Sequence, residues 1–158
     1  MEKLKIANFG ASKGLGVVTN QWIQKGQFVC VYQGPLLTYE EALRVEQRYD
    51  DVHAGSYMFF FRDPRSGKKL CIDATYLDLL SAKQLSVKEA TRYLETTGIA
   101  RYLNHSRSGN LIVKAEIIEG EPQLVFYAKN NISPGTELIY DYGERRSNVT
   151  SDLKWLLT

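Results

Sequence analysis

Short runs rich in β-branched and aromatic residues, each stopped after a few positions by turn chemistry, are what most limit the folds open to this chain. The runs are Leu4–Ala7, Gly16–Thr19, Phe28–Tyr32, Tyr57–Arg62, Lys68–Asp73, Leu111–Ile117, Gln123–Ala128 and Glu137–Tyr140. Between them stand Lys25-Gly26, Asp63-Pro64-Arg65-Ser66-Gly67, Glu119-Gly120-Glu121-Pro122 and Ser133-Pro134-Gly135. Strands this short and evenly punctuated predict a mainly β domain with several small sheets, not one parallel sheet. Short helices interrupt them. Thr38-Tyr39-Glu40-Glu41 is a capping box, in which the Thr38 hydroxyl accepts from an early amide while Glu41 reaches back. It predicts a helix to about Tyr49. Ser86-Val87-Lys88-Glu89 is a second capping box, with Val87, Ala90 and Leu94 at helical spacing and Gly98 as a stop.

The 158 residues fit one domain able to bury its own core. No apolar run approaches the roughly 18 residues of a membrane span, and the start has no secretory-signal pattern. Cys30 and Cys71 lie far apart and match no zinc spacing, which favours a reduced intracellular compartment over a disulfide framework. A net charge of +2 carries no strong DNA-binding signal.

Three polar segments stand out against this background. Tyr140-Asp141-Tyr142-Gly143 places phenols at i and i+2, which share a face on an extended segment. Two such rings can wall a narrow pocket suited to an amine, or can simply be buried for their area. Arg101-Tyr102-Leu103-Asn104-His105-Ser106, continuing to Gly109-Asn110, offers an amide, an imidazole and a hydroxyl in sequence. Adjacent residues rarely hold nucleophile-and-base geometry, so a local turn is the simpler reading than a hydrolase. Lys13-Gly14-Leu15-Gly16 is half of a dinucleotide fingerprint without its strand-then-helix context, and reads as a hairpin turn using the freedom of glycine at positive φ.

Taken together and in this order, the Asn-His-Ser and Tyr-Asp-Tyr-Gly segments resemble the signature motifs of SET-domain protein lysine methyltransferases. The resemblance runs from about Leu4 to Trp155. It is greatest to the histone H4-tail lysine monomethyltransferases, through Ser108-Gly109-Asn110, Tyr57-Met58, Cys71-Ile72-Asp73-Ala74-Thr75, the Tyr140/Tyr142 pair and a cysteine-free tail. It implies a SET fold of small β-sheets around a knot-like core, with a catalytic domain over residues 1–143, a helical insertion over 76–98 and a post-SET-like tail over 144–158. It implies an S-adenosylmethionine-dependent enzyme without a metal, acting as a monomer on a histone tail or nucleosome in the nucleus.

Residue by residue, the resemblance makes Tyr142 the catalytic tyrosine and Tyr140 the residue that limits how many methyl groups are added, with Tyr32 facing the lysine channel. Lys13, Gly14, Leu15, Tyr57, Asn104, His105 and Trp155 fall at cofactor-binding positions. Lys13 would neutralise the cofactor carboxylate, Asn104 would bond its ammonium, His105 would contact or support the adenine, and the Trp155 indole would cover it. Arg101 would stabilise the fold and Asn110 would close the turn. Leu15 stands where close relatives carry arginine, so only its backbone role carries over, and Ser56 stands where they carry a small thiol. The 76–98 insertion keeps open a non-histone lysine substrate; a separate alternative is an inactive SET scaffold that binds a partner peptide.

Overall fold

The computed structural model describes residues 3–51, 57–75 and 98–143. Its strands run β1 (Leu4–Asn8), β2 (Leu15–Thr19), β3 (Phe28–Val31), β4 (Leu36–Thr38), β5 (Met58–Arg62), β6 (Lys69–Asp73), β7 (Asn104–His105), β8 (Leu111–Ile118), β9 (Glu121–Ala128) and β10 (Glu137–Tyr140). The helix α1 (Tyr39–Asp51) follows β4, and a single 3₁₀ turn, Ile99–Tyr102, precedes β7. Among the described residues these strands form three small sheets, ordered β1-β2-β10-β7, β3-β9-β8 and β4-β6-β5. The expected mainly β architecture is therefore observed.

Local chemistry explains most boundaries. The α1 capping box forms as the sequence predicts: the Glu41 amide donates to Thr38 Oγ1 at 3.2 Å, and the Thr38 amide donates to Glu41 Oε1 at 3.0 Å. The β8–β9 hairpin turns on Glu119 (φ 52°) and Gly120 (φ 82°), the two positive φ values of a tight two-residue turn. The turn is narrower than its composition suggests, because Glu121 and Pro122 already pair with Ile118 and Ile117. The sequence reading also missed β4, which has only Leu36–Thr38 and pairs with β6. The second capping box, the 76–97 part of the insertion and the tail with Trp155 lie outside the described residues.

Strand β5 shows how the core is divided. Phe59 and Phe61 enter the main core with Tyr32, Leu103, Phe126, Leu138 and Tyr140. Met58 and Phe60 point the other way, into a smaller cluster with Ala42 and Cys71 against α1. A strand buried on both faces reads as one continuous apolar run, which is why Met58–Phe61 shows no polar alternation. Beneath α1, Asp73 is almost fully buried and satisfied by the Tyr49 hydroxyl at 2.6 Å and the Thr75 amide at 3.0 Å. Burial, and then this carboxylate partner, push the Tyr49 phenol pKa well up.

The most distinctive packing is the crossing of residues 104–110 over β10. Strand β7 pairs in parallel with β10, Asn104 opposite Ile139 and His105 opposite Tyr140. The Ser106 amide then donates to the Tyr140 carbonyl at 3.0 Å. Asn110 grips the same strand by both ends of its amide: Nδ2 donates to the Glu137 carbonyl at 2.9 Å, and Oδ1 accepts from the Ile139 amide at 3.0 Å. At Gly109 a Cβ would lie 2.6 Å from the Ile139 carbonyl oxygen, so only glycine allows the two backbones to approach this closely. This crossing stands where the knot-like core was expected. Asn104-His105 is thus the start of a strand before it is a turn, and its partner lies more than thirty residues downstream.

Candidate active site

Strand β10 builds the site, because its alternating side chains face two different environments. Leu138 and Tyr140 are fully buried, whereas Glu137 and Ile139 are only partly covered. On the buried side an aromatic cluster closes around Tyr140. Phe59 stacks on it at 6.2 Å with planes 9° apart, and Phe126 meets it edge-on at 4.8 Å. Tyr32 packs edge-on against Phe59 at 5.3 Å. The Tyr142 ring lies 5.2 Å from that of Tyr140, tilted by 52°.

Two of these phenols, Tyr32 and Tyr142, are held by backbone. Tyr142, just past the end of β10, donates its hydroxyl to the Leu103 carbonyl at 2.6 Å. The His105 Nδ1 accepts the Tyr142 amide at 2.9 Å, and the two rings lie 5.2 Å apart. Because it accepts an N–H, Nδ1 is unprotonated in this arrangement. Tyr32 donates its hydroxyl to the Tyr57 carbonyl at 2.9 Å. Tyr57 therefore joins the aromatic side by its backbone, while its ring packs on Tyr102 at 6.0 Å and under the Arg101 guanidinium at 5.8 Å. Arg101 is itself buried and donates to the Ala74 carbonyl at 3.1 Å, the structural role its motif implied.

On the other side of β10 the chemistry is polar. The hairpin between β1 and β2 is closed by Phe9 and Gly14, the Phe9 amide donating to the Gly14 carbonyl at 2.8 Å and the Gly14 amide to Gly10 at 2.7 Å. Gly14 takes φ 77°, the positive φ the Lys13–Gly16 segment predicts, and Gly10, outside that segment, takes 97°. The turn sets Lys13 over the Phe9 ring, 4.6 Å from its centroid, and in an ion pair with Glu137 Oε1. Asn104 Nδ2 donates to Glu137 Oε2 at 2.8 Å and to the Leu15 carbonyl at 2.9 Å. The Leu15 side chain is exposed, so this residue enters the site through its backbone alone.

The structure thus brings Lys13, Gly14, Leu15 and Asn104 together, and separately joins Tyr32, Tyr57, Tyr140, Tyr142 and His105. Trp155 lies outside the described residues. Glu137, Gly16, Phe59 and Phe126 carry no site role in the motif resemblance. Glu137 opens the tyrosine motif but looks like an ordinary strand-entry acid. Its ion-pair partner is 124 residues earlier.

This combination of small sheets, crossed Asn-His-Ser segment and paired tyrosines defines the SET class. The SET domain family matches residues 14–143, and the chain belongs to that family. Among its relatives is the histone-lysine N-methyltransferase Set8 of Drosophila pseudoobscura pseudoobscura, 36% identical over 156 residues, covering 98% of this chain and 20% of the relative. N-lysine methyltransferase KMT5A of Xenopus tropicalis is 36% identical over 145 residues, covering 91% of this chain and 37% of the relative. The chain therefore spans well under two thirds of these proteins. Among solved structures, CpSET8 from Cryptosporidium superposes with a TM-score of 0.70 at 34% identity, over 89% of this chain and 57% of that one.

Proposed function

We propose that this domain transfers a methyl group from S-adenosylmethionine to the ε-amine of a protein lysine, adding one methyl to a histone H4 tail in nuclear chromatin. The observation that carries this reading is the aromatic cluster around Tyr140 and Tyr142, set back to back with the Lys13–Asn104 cluster across one strand. The related proteins named as lysine methyltransferases support it.

The residues present suit such a cofactor. Lys13 offers a cation for a carboxylate, Asn104 offers an amide oxygen for an ammonium, and the hairpin at Gly14 and Leu15 exposes backbone groups. When bound, the cofactor supplies an electrophilic methyl on a sulfonium. The chain's part is placement. A free lysine has a pKa of about 10.4 and is protonated at neutral pH. The rings of Tyr32, Phe59 and Tyr140 exclude water and so favour the neutral amine that can attack. Tyr142, its hydroxyl tied to the Leu103 carbonyl, would stand beside the incoming amine, and holding reactants in line supplies much of the remaining acceleration. No side chain is asked to form a covalent bond. The proton leaves with water, so a dedicated base is unnecessary.

The test is methyl transfer from labelled S-adenosylmethionine to core histones and nucleosomes, with the product read by mass spectrometry. A single added methyl on an H4 tail lysine is expected. Label on non-histone peptides alone would overturn the histone reading, and no label on any protein would overturn the enzyme reading.

A further inference from the structure

Glu137 joins Lys13 and Asn104 through one carboxylate, an ion pair to the first and a hydrogen bond from the second. Its side chain is 14% exposed, against 48% for Lys13, so the carboxylate is set into the protein and the lysine reaches in to it. Space for it is reserved. A Cβ on Gly16 would lie 2.6 Å from Glu137 Oε2 and 2.7 Å from Asn104 Nδ2, so a larger residue there would force the carboxylate and the amide to shift.

The chemistry of that contact fixes which way Asn104 points. A primary amide has one end that donates and one that accepts. Both neighbours on the Nδ2 side, the Leu15 carbonyl and the Glu137 carboxylate, can only accept. The nitrogen must therefore face them, and flipping the amide would set its oxygen against two other oxygens. Among the described residues Asn104 Oδ1 has no donor, so its acceptor end is open to a donor beyond them. Glu137 also holds the Lys13 ammonium beside this oxygen's own amide, through an ion pair that spans the same carboxylate.

From this arrangement we propose that Glu137 is a positioning residue for the amino-acid head of the cofactor: it locks the Asn104 amide with its oxygen presented to an ammonium, and it holds Lys13 in place for the neighbouring carboxylate. This rests on the proposed methyltransferase reading, and it adds a residue with no assigned role. Glu137 acts through Asn104 and Lys13. Its effect is therefore confined to ligands that carry the amino-acid head.

Titration calorimetry of the wild-type chain, Glu137→Ala and Glu137→Gln tests this with two ligands: S-adenosylhomocysteine, and 5′-methylthioadenosine, which lacks the amino-acid head. Glu137→Ala should weaken S-adenosylhomocysteine about tenfold or more, the scale of one lost charge-assisted hydrogen bond. Methylthioadenosine should be bound as by the wild type. Glu137→Gln fills the same space and should fall between, and in turnover it should raise the KM for S-adenosylmethionine while leaving kcat and the peptide KM within about twofold. Equal losses for both ligands, or a fall in kcat with an unchanged KM, would show a merely structural role and overturn the proposal. So would unchanged binding of S-adenosylhomocysteine. If the wild type binds neither ligand, the cofactor reading itself fails and this inference falls with it, which is a distinguishable result.

Discussion

The two faces of β10 are separated by a single strand yet differ in almost every physical respect. On one, Tyr32, Phe59, Phe126 and Tyr140 are at most 1% exposed and held by ring packing. On the other, an exposed Lys13 and a partly buried Asn104 meet the inset Glu137 carboxylate and are held by hydrogen bonds and charge. The dry face contributes much of the stability and can strip water from an amine. The polar face contributes little stability and can recognise a charged head group. The lesson is that one four-residue strand, through simple alternation, can present a dry aromatic face and a polar charged face, which on the proposed reading suit two substrates that must meet.

Substitutions should separate the two faces by kind of effect. The largest falls on the dry face. Phe59→Ala removes the ring stacked on Tyr140, and urea denaturation should show a loss of about 3–5 kcal/mol, enough to threaten the fold. A loss under about 1 kcal/mol would mean that this cluster is not the core it looks like. Tyr142→Phe tests function at the boundary of the faces. It deletes the hydroxyl bonded to Leu103, and should lower kcat by a factor on the order of 10² or more while costing about 1 kcal/mol in stability. Single-turnover methylation and thermal melting measure the two separately.

Tyr140→Phe is a subtler change, because it keeps the ring and its packing and removes only the hydroxyl. Mass spectrometry should show dimethylated product where the wild type stops at one methyl. Unchanged monomethylation would remove Tyr140 from control of product number. The dry face should also show itself in pH. Burial pushes the Cys30 thiol up from 9.0 to about 12. Between those values the unfolded chain releases a proton that the native state keeps, so stability falls as pH rises through that window. Denaturation series at rising pH should show Cys30→Ala flattening this decline. The smallest effect belongs to the polar face. Lys13→Ala breaks a half-exposed ion pair and should change stability by less than about 1 kcal/mol while weakening cofactor binding.

Particular residues show what could be read without coordinates. The α1 start was legible because Thr38 and Glu41 are three residues apart and carry their whole interaction with them. The positive-φ turns at Gly14 and Gly120 were legible for the same reason. Strand β4 was not, since Leu36–Thr38 has too few residues for any period and exists because β6 pairs with it. Strand β7 was read as a turn because its partner is β10, far along the chain. In the site, the tyrosines and Asn104 announced themselves through motif resemblance. Phe59 and Phe126 looked like ordinary core, and Glu137 like an ordinary acid, until their neighbours were known.

By itself, then, the amino-acid order determined the elements whose causes are local: the α1 capping box, glycine turns, alternating runs and the two signature motifs. Tertiary structure alone decided that Glu137 meets Lys13 and Asn104, that Gly109 must lack a side chain, and that the Phe59 ring lies parallel to that of Tyr140. The physical reason is range. Caps and turns close within a few residues, whereas these contacts join segments far apart in sequence and exist only after the sheets have packed.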